Sequence, residues 1–254
     1  MELTLEVLIM IGFLSFLTEY VDATVGMGYG TSLVAILLIM GFDPLHFVPA
    51  LLISQFVAGL IAGLAHHFVR NVDFTIGSPD LKVASILSVC SIVGVVIAVF
   101  VAANLDPFYL KTYIGLLVLI LGIVILVTIG RTFIFTWGRI IALGLVSAFN
   151  KGLSGGGFGP MATGGQILSG VETKSAIGIT SLAEGIASIV GVIAWIFVGW
   201  KEVGFAIPLT LGALISVPLS AYTVKKIHAR NLRAIVGIAI LVLGAIILIQ
   251  TAFG

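Results

Sequence analysis

Apolar residues run along this chain in blocks of bilayer length. Uninterrupted stretches near the roughly 20 residues that a helix needs to cross a membrane fall at about 46–66, 82–103, 110–129, 175–198, 203–223 and 233–251. Six plain spans are predicted. Two further apolar regions, about 4–41 and 137–169, are too long for one crossing. A continuous helix of either length would run about 50 Å or more, against a hydrocarbon core of about 30 Å. Each contains a glycine-rich interruption, VGMGYG from Val25 to Gly30 and SGGGFG from Ser154 to Gly159, so both are expected to break there and fold back.

The two halves also read as copies. Laying GYGTSLVAILLIMGFDP from Gly28 over GFGPMATGGQILSGVET from Gly157 pairs Gly28 with Gly157, Gly30 with Gly159, Gly41 with Gly170 and Asp43 with Glu172. The same register continues to Gln55 with Glu184 and Asp73 with Glu202. After a seven-residue insertion around GSPD in the first copy, Lys111 falls on Arg233 and Gly122 on Gly244. One unit occurs twice. The join, near residues 128–139, is too short for a domain linker, so a single membrane domain is expected, with repeat one at about 1–130 and repeat two at about 131–254.

Basic residues favour one topology. If each broken region crossed once, Arg70, Lys82, Arg131, Arg139 and Lys201 would oppose Lys111, Lys174, Lys225, Lys226, Arg230 and Arg233, which is no asymmetry. If each is a re-entrant hairpin, only Lys111 and Lys201 remain on one side, and the other nine share the opposite face, as cytoplasmic loops do. The hairpin reading leaves three spans per repeat. An odd number inverts the second repeat and places both termini away from the cytoplasm. The expected fold is therefore all-α and polytopic, with two inverted repeats, each of one glycine-broken helical hairpin plus three transmembrane helices.

Composition agrees with this and excludes other classes. Hydrophobic residues make up 60% of the chain and charged residues 9%, with a mean hydropathy of +1.28, too few charges to solvate a water-soluble surface. A net charge of +1 with scattered Lys and Arg offers no field for nucleic acid. Glu2 and Glu6 stand where a secretory signal carries positive charge, so the N-terminus reads as an uncleaved first segment. Cys90 has no partner in the sequence and reads as a small helix residue. There is no Walker motif, no zinc-type spacing and no arrangement of nucleophile, base and orienting group, so neither a cofactor nor catalysis is predicted.

Candidate chemistry gathers at the glycine tips. Non-helical backbone at membrane depth survives only where protein or a watery cavity satisfies it, and a helix start there offers unpaired N–H groups to an anion. In the first copy these are Gly28, Tyr29, Gly30, Thr31 and Ser32, with the helix expected to start near Thr31. The second has Ser154, Gly156, Gly157, Phe158 and Gly159, with the start expected at Pro160. Glu19, Asp22, Lys151 and Glu184 lie at depths where lipid cannot solvate them. Asp22 and Lys151 are equivalent positions, open to a salt bridge across the pseudo-twofold axis. Alternatively, Lys151 helps hold an anion while Asp22 or Glu184 takes up a proton. Gln55 and Glu184 are expected to face the tips. Small neighbours at Gly59, Gly63 and Ser188 suit close helix approach. His66 and His67, beside Arg70, are expected at the interface.

The duplicated order of glycine break, apolar helix, "GFDP" or "GVET" turn and small-residue helix ending in "NVDF" or "KEVGF" resembles the sulfite exporter TauE/SafE family of membrane permeases. Its likeness extends over essentially the whole chain. "GGGFGP" is close to the family pattern; "VGMGYGT" is a looser match, with Thr31 where Pro160 stands. The resemblance implies secondary transport of small sulfur-containing anions such as sulfite, sulfoacetate or another organosulfonate across the cell (inner) membrane. Proton or sodium coupling and a homodimer are both compatible with it. The competing class is a cation- or proton-translocating carrier or channel built on Glu19, Asp22 and Glu184. A membrane scaffold would have no need for matched polar tips.

Overall fold

The computed structural model describes residues 4–129, 131, 135–200, 204–224 and 229–253; Glu202, Lys225 and Lys226 lie outside the described residues. Ten helices and no strand occur among them: α1 (Leu5–Val25), α2 (Tyr29–Ile39), α3 (Pro44–Phe68), α4 (Pro79–Asn104), α5 (Pro107–Val127), α6 (Trp137–Ser154), α7 (Phe158–Leu168), α8 (Thr173–Val198), α9 (Ala206–Val224) and α10 (Ala229–Phe253). The protein is a polytopic helical membrane protein.

Local chemistry sets the boundaries. Asp43, Ser78 and Asp106 each cap a helix through the side chain and are each followed by proline at the first helical position. The cap satisfies a backbone donor with no intrahelical partner, and proline removes another. Both long apolar regions break at their glycines. Gly26 closes α1 and Gly155 closes α6, at φ 77° and 74°, and each is followed two residues later by a second positive-φ glycine, Gly28 or Gly157. Two left-handed residues flanking a single position reverse the chain in a few residues, which side chains with a Cβ would resist.

The helix starts differ from expectation by two residues. α2 begins at Tyr29 and α7 at Phe158, so Thr31 and Pro160 stand third in their helices. First-turn N–H groups lack intrahelical acceptors, so Pro160 there breaks no bond. The arms are unequal too. α1 and α6 have 21 and 18 residues, about 31 and 27 Å at 1.5 Å per residue, while α2 and α7 have 11 each. By length and composition α1 joins α3, α4, α5, α8 and α9 as a helix able to cross a membrane, and among the described residues of α10 the segment Ile240–Phe253 is apolar.

Packing is matched between the halves. α3 lies on α8, α5 on α10, α4 on α6 and α9 on α1. Glycines let the backbones meet: Gly59 abuts Ser181 and Gly185, Gly63 abuts Leu182, and Gly94 abuts Ala148. Gly122 faces Leu241 and Gly244 faces Leu119, an exchange that the aligned register of the two copies reproduces position for position. Leu8 and Gly12 of α1 lie beside Gly204 and Pro208 at the start of α9. Leu38, near the end of α2, lies beside Phe108 and Lys111 at the start of α5. Ile167 and Leu168 end α7 beside Thr128 and Ile129, at the other end of α5.

Candidate functional site

The two tips pass one another in direct backbone contact at the centre of the bundle. A side chain on Gly30 would strike the Gly155 carbonyl and the Gly156 backbone, and one on Gly159 would press on Gly26 and Met27. Hydrogen bonds stitch the crossing: Gly157 N donates to Thr31 Oγ1 at 3.0 Å, and Thr163 Oγ1 donates to Gly26 O at 2.6 Å. Ser154 Oγ donates to Asn150 O and accepts from Gly156 N within the second turn. Gln55 and Glu184 each stand eleven residues into their helices, α3 and α8, about 17 Å from the first residue. They meet there, with Gln55 Nε2 donating to Glu184 Oε1 at 3.4 Å.

The equivalent residues Asp22 and Lys151 do not pair with each other among the described contacts. Lys151, fully buried, donates from Nζ to Glu184 Oε1 at 2.6 Å. Asp22 instead folds onto its own tip, where Oδ1 accepts from Tyr29 N at 3.1 Å. An aspartate beside the first N–H of a helix is itself the anion that a helix start attracts. At the second tip the matching place holds a cation. The two helix starts are therefore unequal: α2 meets an internal carboxylate, and the carboxylate of Asp22 also lies against Gly159 of α7.

Tyr29 and Phe158, also equivalent, are both wholly buried. The Tyr29 hydroxyl bonds Ser15 Oγ at 2.9 Å and Ser54 Oγ at 2.6 Å, clamping α2 to α1 and α3. Ser32 is half-buried, and its N–H closes the first turn onto Gly28 O. Glu19, Asp22, Tyr29, Gln55, Gly59, Ser181 and Glu184 enclose a cavity of about 10 Å³, room for about one water. Three carboxyl groups thus face one ammonium, and the site is closed around its centre. Gln55 Oε1 is buried without a hydrogen-bond partner.

His66, in the last turn of α3, is fully buried, with Nε2 on Ala23 O at 3.0 Å and Nδ1 on Asn71 Nδ2 at 3.0 Å. The amide nitrogen Nδ2 can only donate and the Ala23 carbonyl can only accept, so Nδ1 accepts and Nε2 carries the proton. Asn71 also donates to Ala221 O at 3.1 Å, tying the loop after α3 to α9. Beside the second tip, Thr163 and Gln166 of α7 meet Thr180 of α8 in a buried network, with Thr163 Oγ1 and Gln166 Nε2 each 2.8 Å from Thr180 Oγ1.

A family model, sulfite exporter TauE/SafE, matches residues 11–247. The chain belongs to the sulfite exporter TauE/SafE family. Membership makes it a membrane transporter of the TauE/SafE type. Among curated proteins it is similar to the "Probable membrane transporter protein YtnM" of Bacillus subtilis (strain 168), 24% identical over 262 residues, covering 96% of this chain and 83% of that protein. No solved structure matches the chain.

Beside the second tip this TauE/SafE protein holds a larger cavity of about 250 Å³ between α5, α6 and α7, lined by Leu117, Leu121, Leu143, Asn150, Pro160 and Gly165 among others. Part of its room comes from Gly164 and Gly165, which stand where the first repeat has Ala35 and Ile36. Among the described residues no group of three or more His, Cys, Asp or Glu converges as metal ligands do.

Proposed function

We propose that the protein is a secondary transporter of small sulfur-containing anions, sulfite, sulfoacetate or another organosulfonate, working by alternating access of two inverted repeats in the cell membrane. The observation that carries this is the second tip. There α7 begins at a positive-φ glycine, and Lys151, not a carboxylate, occupies the position from which Asp22 meets α2. An oxyanion that displaced Thr31 Oγ1 from Gly157 N and the Asp22 carboxylate from Gly159 would meet backbone donors, the α7 start and a movable ammonium. Lys151 is held by Glu184, so a proton on Glu184 would release it toward the anion. The cavity beside α7, with Asn150 and Pro160 in its wall, gives the anion space next to that helix start.

Matched packing of the halves supports the two-repeat domain. The start of α1 lies where α9 begins and the end of α2 where α5 begins, while α7 ends where α5 ends, which supports hairpins entering from opposite faces. With the basic loops inside, both termini then face away from the cytoplasm. A centre of about 10 Å³ has no room for an oxyanion, so the cycle needs an open state.

Purified protein should be stabilised against heat by its own substrate by mass action, in a screen of sulfite, sulfate, sulfoacetate, taurine and thiosulfate. Labelled uptake of the hit into proteoliposomes should be lost in Lys151→Met. A cation- or proton-translocating carrier is the second reading, favoured by Glu19, Asp22 and Glu184 around the central cavity. Intact anion flux in Lys151→Met with lost cation dependence would support it instead.

A further inference from the structure

The central cavity is walled by acceptors. Glu19 and Asp22 come from α1, Gln55 from α3 and Glu184 from α8, while the Tyr29 hydroxyl from α2 is already engaged with Ser15 and Ser54. Lys151 of α6 supplies the cluster's one ammonium, directed at Glu184. Gln55 is only 2% exposed, and its Oε1, in the wall of this cavity, has no donor. A buried acceptor without a donor beside surplus carboxylates can be met by a water in this cavity or by a protonated carboxyl, and of the two only the carboxyl supplies the donor and removes a charge together.

A second feature on the same helix points the same way. At the start of α8 an open vestibule of about 540 Å³ is lined by His67, Arg70, Asp73, Asp80, Glu172 and Ser175, with Asn71 and Val72 also in its wall. Three carboxylates again outnumber one fixed cation, a field that gathers cations and repels anions. Ser175 opens into the vestibule and Ser181 into the central cavity. Six residues separate them, about 9 Å along the helix. Between them lies Gly178, covered by Val72 and the His66 Cβ. Asn71, bonded to His66 and Ala221 O, holds that covering loop in place.

We propose that α8 carries a proton pathway from the vestibule to the carboxyl cluster, with Val72 seated on Gly178 as its gate. A hydronium in the vestibule yields its proton to a carboxylate oxygen of the cluster and leaves as water, and the new O–H donates to Gln55 Oε1. Large anions are excluded from this route by charge and by width, so the organic substrate enters elsewhere. That the proton drives transport rests on the transporter reading; the pathway itself does not.

The test therefore needs no flux. Infrared spectra of the purified protein in lipid, between pH 5 and pH 9, should show the carbonyl stretch of a buried carboxylic acid. It should diminish in at least one of Glu19→Gln, Asp22→Asn and Glu184→Gln. On transfer to ²H₂O that band should shift several-fold faster in Val72→Ala than in the parent protein, and more slowly in Ser181→Val, with melting temperatures confirming that each variant is folded. A band unaffected by all three carboxyl variants, or equal exchange in folded Val72→Ala and Ser181→Val, overturns the proposal. So does stabilisation by sodium chloride but not by potassium or choline chloride at fixed pH, which would make a metal ion the occupant. Loss of anion transport with these spectra intact would instead count against the transporter reading alone.

Discussion

Replacing Lys151 by methionine removes an ammonium while keeping most of the side-chain volume, so it isolates charge from packing. The parent ion pair is 2.6 Å long and almost wholly out of solvent. In the variant, Glu184 retains the Gln55 amide at 3.4 Å, and Glu19 and Asp22 lose their nearest counter-charge. Stranding one member of a buried pair costs about 3–5 kcal/mol. At roughly 2–4 °C per kcal/mol for a chain of this size, the melting temperature should fall by on the order of 10 °C. The assay is thermal unfolding in detergent followed by tryptophan fluorescence at Trp195 and Trp200. Lys151→Met/Glu184→Gln should recover much of the loss, because the pair is removed together, giving a coupling energy of about 2 kcal/mol or more. The penalty of the single variant should shrink as pH falls, since a proton can replace the missing ammonium. Single variants costing under about 1 kcal/mol, or a double variant that is simply additive, would refute the charge-centred account of this site.

Other consequences follow from the tips and the vestibule. Gly157→Val forces a β-branched residue to φ 78° against Leu117 and Asn150, so it should abolish thermal stabilisation by the substrate anion while the protein still inserts into the membrane. Gly30→Val, aimed at the Gly155 carbonyl, should destabilise by several kcal/mol, on the order of an overpacked core, whereas Gly41→Ala, with open space around it, should show only the backbone cost of its positive φ. Asp22→Asn keeps an oxygen for Tyr29 N but removes the carboxylate from the crossing, so substrate affinity, read by the concentration needed for half-maximal stabilisation, should lose pH dependence. In the vestibule loop the backbone N–H of Thr75 holds the exposed Asp73 carboxyl below its usual range. That turn's order is therefore present above the ordinary carboxylate range and lost only as pH falls through the lowered value; amide exchange at Thr75 against pH should show this, and Asp73→Asn should flatten it.

Much of the plan was legible before any coordinates. Block lengths of apolar residue gave α3, α4, α5, α8 and α9 within a few residues, because a helix in lipid must bond its own backbone and be long enough to span. Glycine pairs marked both breaks, since only glycine takes the left-handed turns at positions 26, 28, 155 and 157 without strain. The register of the copies foretold that Gln55 and Glu184 would be equivalent. It left open whether Lys151 would turn to Asp22 or to Glu184, because equivalence in sequence places residues about an axis without saying which side chains reach across it.

Sequence by itself therefore determined the membrane class and the two breaks, and it singled out Glu19, Asp22, Lys151 and Glu184, which the fold buries. Only the tertiary structure decided that the tips cross in backbone contact and that Asp22 caps α2 while Lys151 holds Glu184. Packing likewise decided that His66 is buried with its ring on Ala23 O. The reason is one of range. Helix length, turns and solvation are set by neighbouring residues or by the bilayer, whereas the ion pair joins α6 to α8 across 33 positions, and the Gln55–Glu184 contact beside the cavity joins groups 129 apart, which meet only once α3 has been laid on α8.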